Sequence, residues 1–272
     1  MKSSRFVSFA AIAAAIMVYP AHAHDFWLEP ADYRAGLDKP VHINFMVGHA
    51  GEGEHWNLRK ERVAAFTRIG ARGAEDISRT ITPGGKDGGA DVKFTAPGTY
   101  IIAFESTPAF IELDAETFNA YLEEEGLTQA IEHRRAHART DKPGTEYYSR
   151  RAKTIINAGE NAVASGADIT AAVGHTLEIR PLDNPFSLAP GEPLPLEVLY
   201  NGAPLPGATV SLENLRVGIF PETRRTTDEN GHAAFDLPKK GAWKFNVVWA
   251  TPVEHDEADF ETVFSSLTFS FE

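Results

Sequence analysis

The stretch Asp91-Val-Lys-Phe-Thr-Ala-Pro-Gly-Thr-Tyr-Ile-Ile102 reads as strand, turn, strand. Polar and apolar residues alternate on one side of Ala96-Pro97-Gly98, and a β-branched and aromatic run follows on the other, as in an antiparallel sandwich. Similar short runs stand towards the N-terminus at Asp25–Leu28, Val41–Gly48 and Arg62–Arg68, with Gly and Pro between them. The glycine-rich segment Pro83 to Gly89 is a turn rather than a phosphate loop, because no helix pattern follows it.

Beyond this region the period changes. Asp114 to about Thr140 carries Phe118, Tyr121, Leu122, Leu127 and Ile131 at helical spacing. Asp114 marks a helix start, and Gly126 splits the stretch into two helices. A further helix is expected over Glu146–Asn157, through Tyr147, Tyr148, Arg151, Ala152, Ile155 and Ile156. Strand character returns at Thr176–Pro181, and Pro181-Leu-Asp-Asn-Pro185 reads as a linker. The runs that follow are Leu194–Tyr200, Pro206–Leu212, Thr226–Phe235, Gly241–Val248 and Leu267–Phe271. Asn201-Gly202 and Asn230-Gly231 are hairpin signals. The size and strand number match an immunoglobulin-like sandwich. The expected fold is mainly β: two immunoglobulin-like β-sandwich domains, residues 24–184 with a helical insertion at about 114–158, and residues 185–272.

Residues 1–23 read as a secretory signal peptide. Lys2 and Arg5 form the positive region, Phe6–Tyr19 the apolar region, and Ala21-His22-Ala23 the small-residue cleavage pattern. The apolar run is too short for a bilayer of roughly 30 Å, so an exported, periplasmic protein that is not integral to the membrane is expected. The formal net charge of −12 repels nucleic acid and anionic membranes and suits cationic partners. With no cysteine in the chain, any metal must be held by nitrogen and oxygen.

Cleavage after Ala23 would leave His24 first. One residue then offers its α-amine and its imidazole Nδ1 to the same ion, and a second imidazole completes a histidine brace. Nitrogen-rich, near-planar sets suit copper(II) or nickel(II). If Asp25–Leu28 pairs antiparallel with Val41–Gly48, the partner near the N-terminus is His49, while His55 is a weaker candidate. His255, in the acidic connection His255-Asp-Glu-Ala-Asp259, and His175, at the start of a strand, are further candidate ligands. His133 and His137 stand four apart on the expected helix, but the intervening Arg134-Arg135 favours a surface-helix reading. Tyr147, Tyr148, Arg151 and Lys153 suit an anion as well as they suit packing. No nucleophile motif is present, so no enzyme activity is expected.

The opening His24-Asp-Phe-Trp-Leu-Glu-Pro30 resembles the start of a bacterial periplasmic family of unknown function, commonly labelled the periplasmic component of a cobalt or nickel uptake system. Phe118–Leu127, Glu146–Thr154, His175–Pro185 and Gly202–Val210 match the same family. The stretch Pro190–Val248 is also similar to a regulatory β-sandwich module found beside carboxypeptidases and outer-membrane receptors. The resemblance implies handling of a divalent transition metal (nickel, cobalt or copper) with an inner-membrane or outer-membrane metal transporter as partner. Two alternatives stay open: a copper histidine-brace oxidative enzyme, and a carbohydrate-binding or adhesion module in which His24 is incidental.

Overall fold

The computed structural model describes residues 25–48, 53–86, 88–160, 166–189, 191–215, 223–237 and 241–271. The strands, in chain order, begin with β1 Asp25–Pro30, β2 Arg34–Ala35, β3 Pro40–Gly48, β4 Glu54–His55, β5 Val63–Gly70, β6 Gly73–Asp76, β7 Ile81–Thr82 and β8 Gly89–Lys93. They continue with β9 Gly98–Ser106, β10 Ala109–Leu113, β11 Gly144–Ala158, β12 Leu177–Pro181, β13 Pro193–Tyr200 and β14 Ala203–Pro204. The last are β15 Thr209–Asn214, β16 Thr223–Thr226, β17 His232–Asp236, β18 Gly241–Pro252 and β19 Phe260–Phe271. Two helices, α1 Ala115–Glu124 and α2 Thr128–Ala136, lie between β10 and β11.

A 10-stranded sheet runs in the order β16-β15-β18-β19-β11-β9-β5-β6, with β10 and β2 also paired to β11. A 5-stranded sheet built on β1-β3-β8-β7 and a 4-stranded sheet built on β12-β13-β14 cover it on opposite sides. The alternation of side chains along a strand shows why. Ile102 and Phe104 of β9 and Ile156 of β11 join one core with Phe26, Phe45 and Val92. Their neighbours Ile101 and Ile155 join the other core with Leu177, Leu196 and Phe235. The fold is mainly β and sandwich-like, with one large sheet serving both sandwiches. Across the expected boundary at residue 185 the sheets are continuous: Ile179 of β12 pairs with Val198 of β13, and β11 runs parallel to β19.

The helices sit where the period indicated. Asp114 caps α1 by accepting from the Thr117 N–H at 3.0 Å, and Gly126 (φ 68°) ends it. Phe118, Tyr121, Leu122 and Leu127 pack on Val248, Ala250, Phe260 and Phe264. The expected helix over Glu146–Asn157 is instead the long strand β11, so the helical insertion ends before Gly144. Both faces of β11 are covered, so apolar residues occupy both parities and the run mimics a 3.6 period. The β-branched Thr154-Ile155-Ile156 favours the extended form.

The two hairpin signals part company. At Asn201-Gly202 both residues have positive φ (53° and 77°), and Tyr200 pairs with Ala203, a two-residue turn of the kind Asn-Gly favours. Asn230-Gly231 does not close a hairpin. Its flanking strands separate, β16 to β15 in the large sheet and β17 to β13 in the small one.

Two consequences are measurable. A Cβ at Gly144 would lie 2.2 Å from the fully buried Phe118 ring, so Gly144→Ala should lower unfolding stability in urea by about 1–3 kcal/mol. Burial raises the Glu146 carboxyl from its ordinary 4.5 to about 7, against the opposing hydrogen bonds from Thr262 (2.5 Å) and Tyr121 (3.5 Å). The unfolded chain releases this proton first, so stability falls as pH rises from about 4.5 to 7. Glu146→Gln should flatten that segment of a Tm-against-pH curve.

Candidate functional site

Strand β1 enters the molecule between two layers. Its even residues Phe26 and Leu28 fill the core beneath the 5-stranded sheet. Its odd residues Asp25 and Trp27 meet β18 at the edge of that core. The antiparallel pairing expected from the sequence is present: Asp25 stands opposite Gly48, Trp27 opposite Met46, and Pro30 opposite Ile43. His24 and His49 lie outside the described residues. They are the chain neighbours of Asp25 and Gly48, which form a directly paired couple.

A short strand brings the imidazole of His55 to this end of the sheet. In β4, His55 pairs with Met46 and Glu54 with Val47. Directly opposed residues share a face, so Trp27, Met46 and His55 stand in a row. The chain reaches β4 past Gly53, where a Cβ would come within 2.3 Å of the Trp27 indole; only glycine allows that approach. The Nδ1 of His55 is buried and has no hydrogen-bond partner. His42, on the same strand as Met46, faces Asp91 at 2.9 Å and points to the opposite end.

Asp25 is held by charge. It is 3% exposed and accepts hydrogen bonds from Lys244 Nζ and from Asn246 Nδ2, the latter at 2.5 Å. The same ammonium lies 3.0 Å from Glu213 and 4.6 Å from the centre of the Trp27 ring. Burial pushes the Lys244 ammonium down, but Asp25 and Glu213 outweigh it and hold the group above its ordinary value. Glu125, at the end of α1, is driven well above the carboxylate range by burial and then by the negative charge of Asp25. The Oδ1 of Asn246 is buried without a partner. Taking charges out of water costs several kcal/mol per ion, so this cluster functions as a positional lock rather than as a source of net stability.

The other expected ligands lie elsewhere. His175 is 4% exposed, on the opposite face of the large sheet, beside the Lys153–Glu178 pair. Burial, then the charges of Lys153 and Arg151, hold its imidazole well below the ordinary range, so it is a neutral core residue. Glu178 is occupied by the N–H groups of Val173, Gly174 and His175 at 2.8 to 3.2 Å. His255 follows β18 at the end remote from Lys244. Eight strand residues at roughly 3.3 Å each put Pro252 about 26 Å along β18 from Lys244. There the His255 Nδ1 accepts from the Glu257 N–H at 3.1 Å, and Glu257 accepts from the Tyr147 hydroxyl at 2.7 Å. Neither histidine reaches the Asp25 end. His133 and His137 stack with ring centres 4.1 Å apart on α2, with His137 Nδ1 on the His133 carbonyl at 2.8 Å. Among the described residues, no group of three or more His, Asp or Glu is arranged for a metal ion. Phe26 and Trp27 are both buried, so they offer no exposed aromatic face to a polymeric substrate.

Sequence reasoning missed Lys244, Asn246 and Glu213. The signal was present: in Ala-Trp-Lys-Phe-Asn-Val-Val the polar residues alternate with apolar ones, which ordinarily marks a solvated face. Here β1 and the end of α1 cover that face.

A family model described as a domain of unknown function (DUF4198) matches residues 21–251. No curated protein matches the chain. Among solved structures, the D0-D1 domain of intimin aligns at 12% identity over 90% of this chain and 97% of that one, with a TM-score of 0.21. The BSP domain of a biofilm-associated protein aligns at 12% identity over 90% of this chain and 29% of that one, with a TM-score of 0.19. Dimeric latent PorU from Porphyromonas gingivalis aligns at 11% identity over 88% and 20%, with a TM-score of 0.20.

The lock around Asp25 has a direct test. Lys244→Met leaves a buried carboxylate without its cation and should lower unfolding stability by about 3–5 kcal/mol. Adding Asp25→Asn to that variant should recover part of the loss in urea melts, because the orphaned charge is then gone.

Proposed function

We propose that this chain, which belongs to the DUF4198 family of unknown function, binds a divalent transition metal through the N-terminal histidine created by export. After cleavage at Ala23, the α-amine and imidazole Nδ1 of His24 chelate nickel, cobalt or copper, and His49 supplies the further imidazole. Handling of that metal at the cell envelope, for transfer to an uptake system, is the role this chemistry suits.

The observation that supports the reading most is the register of β1 on β3. Asp25 opposite Gly48 makes the two paired strands converge on residues whose chain neighbours are His24 and His49. The buried pair of Asp25 with Lys244 then pins the backbone one residue from the new amine. A chelate whose donors are held in advance loses less freedom on binding. The unpartnered Nδ1 of His55 on the neighbouring strand fits a nitrogen donor set. The α-amine has an ordinary pKa near 7.7–8.0, so a metal displaces its proton at neutral pH. The carboxylate excess of the whole chain, with net charge −12, favours cation capture.

Calorimetric titration with nickel, cobalt and copper, with copper EPR alongside, should compare protein beginning at His24 with protein carrying one extra N-terminal residue. The processed form should bind at least tenfold more tightly, and His49→Ala should weaken it. Equal affinity of the two forms would overturn the reading. Adding a reductant and following oxygen uptake should show no consumption above free metal, which separates capture from oxidative catalysis.

A further inference from the structure

The sequence places Tyr147, Tyr148 and two arginines in one short run, and the metal site uses none of them. On β11, Tyr148 and Arg150 lie on the face that carries the helices and the 5-stranded sheet. The Arg150 guanidinium is 2% exposed and stacks among Trp56 (4.8 Å), Tyr148 (5.1 Å) and Phe26 (5.8 Å). Arg62, just before β5, is 8% exposed and stacks on Tyr148 at 5.3 Å. Two buried cations therefore share one tyrosine ring.

Aromatic rings balance only the faces of a guanidinium. Its N–H donors lie in the plane and need acceptors, and a buried donor left unpaired costs about 1–3 kcal/mol. Arg62 Nη2 and Arg150 Nε are buried and have no hydrogen-bond partner. No described carboxylate accepts from these two nitrogens, although the charge of the Glu146 carboxyl is felt by Arg150. Glu146, two residues before Tyr148, is engaged by Thr262 and Tyr121. Glu105 is paired instead with Arg151 at 3.2 Å, and Arg59 beside Arg62 only adds positive charge. Burial lowers the Arg150 guanidinium to about 10, against the upward pull of Tyr148, and the like charge of Arg62 adds to the lowering.

We propose that Arg62, Tyr148 and Arg150 form a binding site for a small oxyanion, a carboxylate or a phosphate, which accepts from the two unpartnered guanidinium nitrogens. The planar fork of arginine matches both kinds of anion. Tyr148 and Trp56, which flank the two guanidinium groups, are half-buried, so theirs is the side nearest solvent. The site does not depend on the metal reading, since none of its residues is a metal ligand there.

Sodium phosphate and sodium succinate should be titrated separately into the full mature protein at low ionic strength, with sodium chloride as control. Melting temperature and tryptophan emission serve as readouts. One of the two anions should raise Tm above the chloride control, and which one does so distinguishes phosphate from carboxylate. The same anion should change the emission of the wild type, with the change abolished in Trp56→Phe. Arg62→Gln, folded by circular dichroism, should bind at least tenfold more weakly, with Arg62→Lys in between. If neither anion exceeds chloride in the wild type, or if Arg62→Gln binds as the wild type does, the proposal is wrong. The wild-type and Trp56→Phe titrations decide the matter even if the arginine variants fail to fold.

Discussion

Because Ile155 and Ile156 of β11 point to opposite sides and are both buried, the large sheet cannot be left open on either face. Each side chain contributes about 1.5–3 kcal/mol when fully covered, and the same holds for Ile101 and Ile102 on the adjacent β9. The 4-stranded sheet meets one face. The 5-stranded sheet and the two helices divide the other between them. Separating the halves of the chain at residue 185 would expose β11 along its parallel pairing with β19, from Glu146–Phe260 to Thr154–Thr268.

That arrangement creates the setting for the charged cluster. Covering the large sheet with β1 and the end of α1 buries the even face of β18 where it carries Lys244 and Asn246. The desolvated ammonium must then be answered, and Asp25 and Glu213 answer it. The acid that meets Lys244 stands at the start of β1. The start of β1 is thus tied to the central sheet through a contact 219 positions apart in sequence.

The readable features were those set by neighbours in sequence. Asp114 and Gly126 bound α1 because capping and positive φ are local requirements. Asn201-Gly202 made its turn for the same reason. The pairing of β1 with β3 followed from two alternating runs with a short connection, and it brought the His49 neighbour, Gly48, opposite Asp25. Where legibility failed, the cause was distant in sequence. Burial on both faces of β11 erased the two-residue period. The separation of β16 from β17 into different sheets changed Asn230-Gly231 from hairpin to crossover. His175 and His255 had plausible flanking residues but stand apart from Asp25, one across the large sheet and one at the far end of β18.

By itself the sequence determined the strand-rich class, the helices α1 and α2 and the Asn201-Gly202 turn, since each depends on residue type and short-range spacing. The tertiary structure alone decided that β11 is a strand, that one sheet serves two cores, and that Lys244 faces Asp25. It also decided that Arg62 and Arg150 meet over Tyr148. These outcomes depend on which surfaces are removed from water, and that is settled only when segments remote in sequence pack together.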